Sequence, residues 1–192
     1  MRDCADRVVS LGSLTGMKHF ELQPHLIGDA LGLRPLRPED WEGLFLAASD
    51  PMIWEQHPAR DRYKEEIFKA FFQEALDSGG ALVAIDRKTQ RIIGSSRYFG
   101  YEPENSEIEI GWTFLDRSYW GGKYNGEMKR LMLGHAFQSV DSVVFLVGPE
   151  NVRSRRALEK IGAVLAGRRT RDLQGNAVEH VVYQIKKPMV TA

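Results

Sequence analysis

The stretch Ser142–Val147 most constrains how this chain can fold. After its first residue it is entirely apolar, Val-Val-Phe-Leu-Val, and a strand of this kind is stable when both of its faces are covered. A helical pattern of apolar residues precedes it at 127–140, and a shorter one follows it at 152–161. The stretch therefore predicts the middle of a sheet that carries helices on both sides.

Two further helices are predicted in the N-terminal half, after a first short strand at residues 31–36. Residues 39–49 carry apolar side chains at the spacing i, i+3, i+4, i+7, with acidic residues in the first turn. The same spacing recurs at 67–76 until Gly79 ends it. Each helix thus has one apolar face that must pack against a sheet.

The other strands are predicted from runs of β-favouring residues separated by turns. Residues 81–86, 92–101 and 107–115 form an antiparallel meander, and 163–172 with 177–185 form a closing hairpin. This order of elements predicts a single α/β sandwich. In the third run of the meander, apolar side chains alternate with polar ones and predict one buried face: Ile108, Ile110, Trp112 and Phe114.

Length and charge restrict the class of protein. The 192 residues are enough for one domain, which we place at residues 17–192 after a poorly structured extension at 1–16. Lys plus Arg equals Asp plus Glu at 26 each, so no overall field attracts nucleic acid or a membrane surface. The single cysteine, Cys4, permits no internal disulfide, and no Cys/His spacing suits a metal. Without a signal peptide or an apolar run of about 18 residues, we expect a soluble cytoplasmic protein.

A glycine-bearing turn at residues 116–129 joins the last strand of the meander to the next helix. Such a turn directs unpaired N–H groups at one point, and the helix dipole adds positive charge there, so it favours a phosphate group. Glycines at 121, 122 and 126 are equally compatible with a tight turn that binds nothing. A second motif, Asn-Val-Arg-Ser at 151–154, begins the helix after the apolar strand, and Asn151 suits the N-cap position.

In this order, the glycine-bearing turn, the apolar strand and the Asn-x-x-Ser helix resemble the cofactor half of GNAT N-acetyltransferases. They are similar in particular to the branch of ribosomal-protein N-terminal acetyltransferases. The resemblance extends over residues 30–186 in element order and is specific over 107–162. It implies the GNAT-type α/β fold: a mixed, mostly antiparallel sheet, flanked by helices and splayed between its fourth and fifth predicted strands, 107–115 and 142–147. Acetyl-CoA would occupy the wedge between them as cosubstrate, without a metal.

The same resemblance assigns cofactor contacts. Main-chain groups of the splayed strand would bind the pantetheine arm as an added strand would, the turn would hold the pyrophosphate, and the helix start would contact pantetheine and nearby CoA atoms. A phosphate would be reached by Arg155 or Lys123. The implied cofactor-binding residues are Trp112, Thr113, Phe114, Leu115, Gly121, Gly122, Lys123, Tyr124, Asn125, Gly126, Asn151, Ser154 and Arg155.

Two positions depart from the family pattern. Lys123 stands where glycine is common in the loop, and Leu158 stands where many relatives have the tyrosine that protonates the departing thiolate. The usual general acid is therefore missing, which leaves water, Ser154 or another group for this step. Leu158 also supports the alternative of an acyl-CoA-binding module without catalysis.

Transfer to an amine requires a base near the wedge. Glu109 is the candidate because it lies on the polar face of the adjacent strand, and Glu107 on the same face is second; the alternative is that both are exposed surface residues. For the acceptor, the aromatic loop supplies Trp54, His57 and Tyr63, which could equally cap the core.

We therefore expect an N-acetyltransferase that moves the acetyl group directly to a primary amine, such as a protein N-terminal amine, without an acyl-enzyme. A small-molecule amine, either an antibiotic or a polyamine, is the alternative acceptor, and the binding module is the alternative without catalysis. The expected partners are acetyl-CoA and the amine. The edge strand of the closing hairpin would also permit a homodimer.

Overall fold

The computed structural model of the protein describes residues 19–173 and 176–189, so the extension predicted at 1–16 lies outside the described residues. The strands and helices follow one another in nearly the predicted order. Their bounds are β1 (Leu26–Ile27), β2 (Leu31–Pro35), α1 (Trp41–Ala48), α2 (Glu65–Asp77), β3 (Ala81–Asp86), β4 (Ile92–Glu102), β5 (Glu107–Leu115), α3 (Tyr124–Ala136), β6 (Ser142–Val147), α4 (Val152–Lys160), β7 (Val164–Leu173) and β8 (Asn176–Lys186).

The strands form one eight-stranded sheet in the order β1-β2-β3-β4-β5-β6-β8-β7. All neighbours are antiparallel except β5 and β6, which are parallel. The meander β3-β4-β5, the hairpin β7-β8 and the interior position of β6 are confirmed. The prediction of a mixed, mostly antiparallel sheet flanked by helices is also confirmed.

The sheet opens as a fork between β5 and β6. These strands pair over Glu107–Glu109 and Ser142–Val144 and then separate. Beyond that point β5 continues to pair with β4 as far as Leu115, and β6 continues to pair with β8 as far as Val147. Within the part of the chain that the structure describes, the fork leaves one edge of each strand without a strand neighbour, which is the splay that the sequence resemblance implied.

A bulge in β5 overturns the predicted alternation along this strand. Trp112 and Thr113 together lie opposite the single residue Ser96 of β4, and Trp112 has a φ of 51°, which is uncommon for a residue other than glycine. One extra residue reverses the faces beyond it. Ile110 therefore packs with the core beneath α3, whereas Phe114 packs with the core beneath α1 and α2.

The sheet carries a core on each face. Beneath α3 and α4, the side chains of Tyr98, Ile108 and Met132 are buried together, and Tyr98 Oη donates to the carbonyl of Met132 at 2.7 Å. Beneath α1 and α2, aromatic residues dominate, including Phe68 and Phe114 with ring centroids 6.1 Å apart. Burial of this apolar area on both faces is the main stabilising contribution.

Two local details differ from the predictions. Helix α3 begins at Tyr124 and ends at Ala136 instead of spanning 127–140, because its first turn starts directly after the glycine-bearing loop. Strand β1, two residues long, was not predicted. The Glu127 carboxylate accepts from the backbone N–H of Ala30 at 2.9 Å, which fixes the first turn of α3 against the start of β2. No helix in the described residues is long and apolar enough to span a membrane.

Candidate functional site

A groove of about 700 Å³ follows the fork in the sheet. Its walls come from β5, the end of β6, the loop before α3, the first two turns of α3, helix α4, the loop that precedes α2 and one residue of β8. Most of the predicted site residues meet there, although they come from four separate parts of the chain. The predicted residues in the wall are Trp54, His57, Trp112, Thr113, Phe114, Leu115, Gly121, Gly122, Asn125, Gly126, Asn151 and Ser154.

Six predicted residues lie outside the wall. Tyr63 packs against the core beneath α1 and α2, and the Tyr124 hydroxyl donates to Asp86 at 3.2 Å. The other four are Lys123, Arg155, Glu107 and Glu109. None of these six lines the groove, and their predicted roles stay predictions.

The glycine-bearing loop forms an open end of the groove. Gly121 has a φ of 71°, so the turn requires glycine at this position, whereas Gly122 has no such requirement. A Cβ added at Gly121, Gly122 or Gly126 would meet no atom within 4 Å. The side chain at the N-cap of α3, Lys123, makes no capping hydrogen bond. Backbone N–H groups at a helix N-terminus are thus accessible, as binding of a phosphate requires.

Helix α4 contributes basic side chains to the wall of the groove. Arg156 and Lys160 both line the groove and are four residues apart, so they share one face of the helix. Arg155, which the sequence suggested for a phosphate, is turned away: its Nε donates to Tyr183 Oη at 3.2 Å and its Nη1 to the carbonyl of Pro149 at 3.0 Å. The helical spacing from Leu158, which is buried, could have indicated that Arg156 faces the groove and Arg155 does not.

The start of α4 is firmly held. Asn151 Oδ1 accepts from the backbone N–H of Ser154 at 3.0 Å, as expected for an N-cap. Arg153 donates to the carbonyl of Ile53 at 2.7 Å, and its guanidinium lies 4.1 Å from the centre of the Trp120 ring. These contacts connect α4 with the loop before α2 and fix the two walls relative to each other.

Another part of the groove wall, formed by the loop that precedes α2, is aromatic and basic. His57 Nδ1 accepts from the backbone N–H of Ala59 at 2.9 Å, and burial together with the nearby Arg62 lowers the pKa of His57 to about 3. The imidazole is therefore neutral at physiological pH. Arg62 itself lies 4.4 Å from the centre of the Phe71 ring, and burial lowers its pKa to about 10. Trp54 is buried and donates from Nε1 to the carbonyl of Ala48.

Glu109 lies beside the groove. It is 6% exposed and forms an ion pair with Arg171, whose Nη1 is 3.2 Å from Glu109 Oε1. This carboxylate lies over Gly111, which is in the wall: a Cβ at Gly111 would come within 3.0 Å of Glu109 Oε1. Glu107 pairs with Arg169 at 3.1 Å. Neither glutamate is the exposed surface residue of the alternative reading, since both are largely buried and paired.

Lys129 of α3 is a wall residue that sequence reasoning missed. It is 4% exposed, and its Nζ donates to Thr113 Oγ1 at 2.6 Å. Burial lowers the pKa of Lys129 to about 7. A signal was present, because Lys129 is followed by Met132, Leu133 and Ala136 at helical spacing, and the buried face of the helix therefore includes it.

The wall has an uneven distribution of charge. Its charged residues are Arg62, Lys129, Arg153, Arg156 and Lys160, and none of the described residues that line it is Asp or Glu. His180 of β8 also lies in the wall, and its Nδ1 donates to the carbonyl of Val178 at 3.0 Å. Within the described ranges, no group of three or more His, Cys, Asp and Glu residues comes together as a metal site.

The fold and the sequence both match known acetyltransferases. Residues 30–164 match the family model of the acetyltransferase (GNAT) domain. The fold is similar to that of a GCN5-related N-acetyltransferase from Brucella melitensis, with a TM-score of 0.72 and 20% identity over 85% of this chain and 79% of that one.

Two further structures share this fold. One is Mycobacterium smegmatis RimJ in complex with CoA-disulfide, with a TM-score of 0.62 and 19% identity over 81% of each chain. The other is a ribosomal-protein-S5-alanine acetyltransferase from Vibrio fischeri, with a TM-score of 0.63 and 16% identity over 86% of this chain and all of that one. The resemblance inferred from the glycine-bearing turn and the Asn-x-x-Ser helix is confirmed.

Proposed function

Because this chain belongs to the GNAT acetyltransferase family, we propose that it transfers an acetyl group from acetyl-CoA directly to a primary amine. One observation carries the proposal: a single groove at the fork of the sheet is lined by an open glycine loop, by the unpaired edge of β5 and by aromatic residues. A diphosphate ester with a long arm matches the glycine loop and the fork. An amine acceptor matches the aromatic part of the wall.

The residues present fit acetyl-CoA. The N–H groups of the loop at 121–126 and the start of α3 would hold the pyrophosphate. Arg156 and Lys160 would add charge for the remaining phosphate. The unpaired edge of β5 from Gly111 onward offers main-chain groups to the pantetheine arm, as a strand at a sheet edge does. When bound, acetyl-CoA supplies the acetyl group as a thioester, which a neutral amine can attack.

A residue of the chain itself would accept the proton that the amine loses. We assign Glu109 as its acceptor, through a water above Gly111, because the carboxylate lies over this glycine of the wall. Arg171 holds the carboxylate in a single orientation. The neutral His57 adds no positive charge that would repel an incoming ammonium group. Removal of the proton makes the nitrogen lone pair available for attack on the carbonyl.

The charge of the groove wall restricts which amines can bind as the acceptor. A polyamine or an aminoglycoside-type antibiotic carries several positive charges and would need carboxylates around it, and the described wall offers five basic residues and no acidic one. We therefore propose an acceptor with a single amine, such as the N-terminus of a protein. The name of the similar Vibrio fischeri protein, which acts on an alanine of ribosomal protein S5, is consistent with this class.

Isothermal titration with acetyl-CoA tests the proposal. The parent should bind in the micromolar range, and Gly122→Asp should abolish binding, because the position tolerates a side chain but the new carboxylate would repel phosphate. Gly134→Asp, an exposed glycine farther along α3 with open space around it, is the matched control and should bind as the parent does. A folded parent without affinity would refute the enzyme and the binding-module readings alike, whereas binding without turnover on any amine would favour the module.

A further inference from the structure

Lys129 is a buried cation whose position needs an explanation. It lies on the apolar face of α3 in line with Met132, Leu133 and Ala136, and it is 4% exposed. Burying an ammonium group without an anionic partner costs free energy. A methionine at this position would avoid that cost, so the lysine is explained best by a task in the groove that it lines.

Few polar groups of the described residues surround the ammonium group of Lys129. Nζ donates to Thr113 Oγ1 at 2.6 Å and lies 5.3 Å from the centre of the Phe145 ring, on the strands that form the fork. Thr113 Oγ1 is in turn 2.8 Å from Ser96 Oγ. An ammonium group has three N–H donors. Among the described residues, Thr113 Oγ1 accepts a hydrogen bond from one of them. The remaining two are available to a ligand in the groove.

In the described part of the chain, no carboxylate pairs with this charge. On α3 itself, Glu127 is engaged by the backbone of Ala30. On β5, Glu107 and Glu109 alternate with the two isoleucines that pack beneath α3, so they lie on the opposite face of the sheet, paired with arginines. On α4, the residues that line the groove include Arg156 and Lys160, which are cations, and Leu158, which is apolar.

We infer that Lys129 donates a proton to the sulfur that leaves when the acetyl group is transferred, an inference that rests on the proposed function. The amine nitrogen, neutral once Glu109 has taken the ammonium proton, forms a bond to the acetyl carbon and releases one further proton to water. The carbon–sulfur bond breaks, and its electron pair stays on sulfur. Nζ of Lys129 gives that sulfur a proton, so that CoA leaves as a thiol, and the neutral lysine then takes a proton from solvent.

Burial gives Lys129 the acidity that this step needs. An ordinary lysine, with a pKa of about 10.4, holds its proton more tightly than a thiol with a pKa of about 8.5. The pKa of Lys129 is lowered to about 7 by burial, so transfer of its proton to a thiolate is favourable. The arginines of the wall do not release protons at this pH, and Leu158 has none to give. Thr113 fixes Nζ at the fork.

Three variants test the role of Lys129. Lys129→Met removes the charge and the proton, Lys129→Arg keeps the charge but cannot release a proton, and Lys88→Met, on the exposed β3–β4 turn, is the control. We expect turnover to fall about 100-fold or more in both Lys129 variants, the usual range for loss of a general acid, with the KM for acetyl-CoA within about threefold of the parent. Lys88→Met should behave as the parent does.

A second readout needs no turnover. The ultraviolet absorbance of the thiolate reports the pKa of the CoA thiol bound to each variant. Lys129→Met should raise this pKa by about one unit or more, because the cation that favours the thiolate is lost, whereas Lys88→Met should leave it unchanged. If Lys129→Met changed neither turnover nor the pKa of the CoA thiol, the role of Lys129 would be refuted while the proposed function would stand. If the folded parent did not bind CoA, both the role of Lys129 and the proposed function would be refuted.

Discussion

Lys129 Nζ reaches Thr113 Oγ1 because β5 contains one extra residue at Trp112. Without this bulge, Thr113 would lie on the opposite face of the sheet, beneath α1 and α2. With it, the threonine hydroxyl faces α3 and accepts a hydrogen bond at 2.6 Å from a lysine on the second turn of that helix. The same bulge leaves the edge of β5 irregular where it borders the fork, so one local feature shapes both walls of the groove.

Replacing Glu109 by Gln tests the proposed proton acceptor. Gln cannot accept the proton, so we expect kcat to fall about 100-fold, whereas the affinity for acetyl-CoA should stay near that of the parent because Glu109 lies outside the groove wall. Steady-state kinetics and titration calorimetry measure the two effects. If Glu109→Gln kept its turnover and His180→Gln lost it, the proton acceptor would be His180 of the groove wall instead of Glu109.

The basic face of α4 provides a second prediction. Arg156→Ala and Lys160→Ala should each weaken acetyl-CoA binding about tenfold, or about 1.4 kcal/mol, and should reduce its dependence on salt. Arg155→Ala is the internal control, because this side chain bonds to Tyr183 and Pro149 and does not line the groove. It should lower the melting temperature while leaving affinity unchanged. A loss of affinity in Arg155→Ala, with none in Arg156→Ala, would reverse the assignment.

The burial of Lys129 also predicts how the free energy of unfolding depends on pH. Its pKa falls from an ordinary 10.5 to about 7 in the folded protein, so between these values the unfolded chain binds a proton that the folded chain lacks, and the parent gains stability as pH rises through this window. Lys129→Met removes the penalty of burying the charge. It should raise the free energy of unfolding at pH 7 by about 4 kcal/mol.

The gain from Lys129→Met should decrease as pH approaches 10, where the parent no longer carries the buried charge. Urea unfolding of parent and variant across this range measures the difference between them. A variant that is more stable and yet inactive would separate the catalytic role from a structural one. Equal pH dependence in both proteins would show that the lysine is not the group that titrates.

Acceptor preference is a fourth prediction. Since the described wall contains basic residues and no acidic one, kcat/KM should be higher for a peptide with one free N-terminal amine than for spermidine or an aminoglycoside. Side-by-side assays that follow release of free CoA thiol make this comparison. A preference for the polycations would contradict the electrostatic argument and restore the small-molecule alternative.

Local patterns predicted most elements of the fold. Strands β3, β5 and β6 have the bounds predicted from alternating or continuous apolar residues, because these patterns depend on neighbours in the sequence. The start of α3 was misplaced by three residues, from 127 to 124, since a glycine-bearing turn and a first helical turn have similar composition. The two-residue strand β1 is too short to have a periodic signal.

The sequence by itself determined most of the order of elements, the glycine turn at Gly121 and the N-cap at Asn151, because glycine conformation and capping involve residues a few positions apart. The tertiary structure alone decided which arginine of α4 faces the groove, that Glu109 pairs with Arg171, and that Lys129 meets Thr113. These relationships join residues far apart in the chain, and the last depends on a bulge that reverses a strand's faces. The chemistry of this groove is therefore set by strand register and packing, which no local pattern encodes.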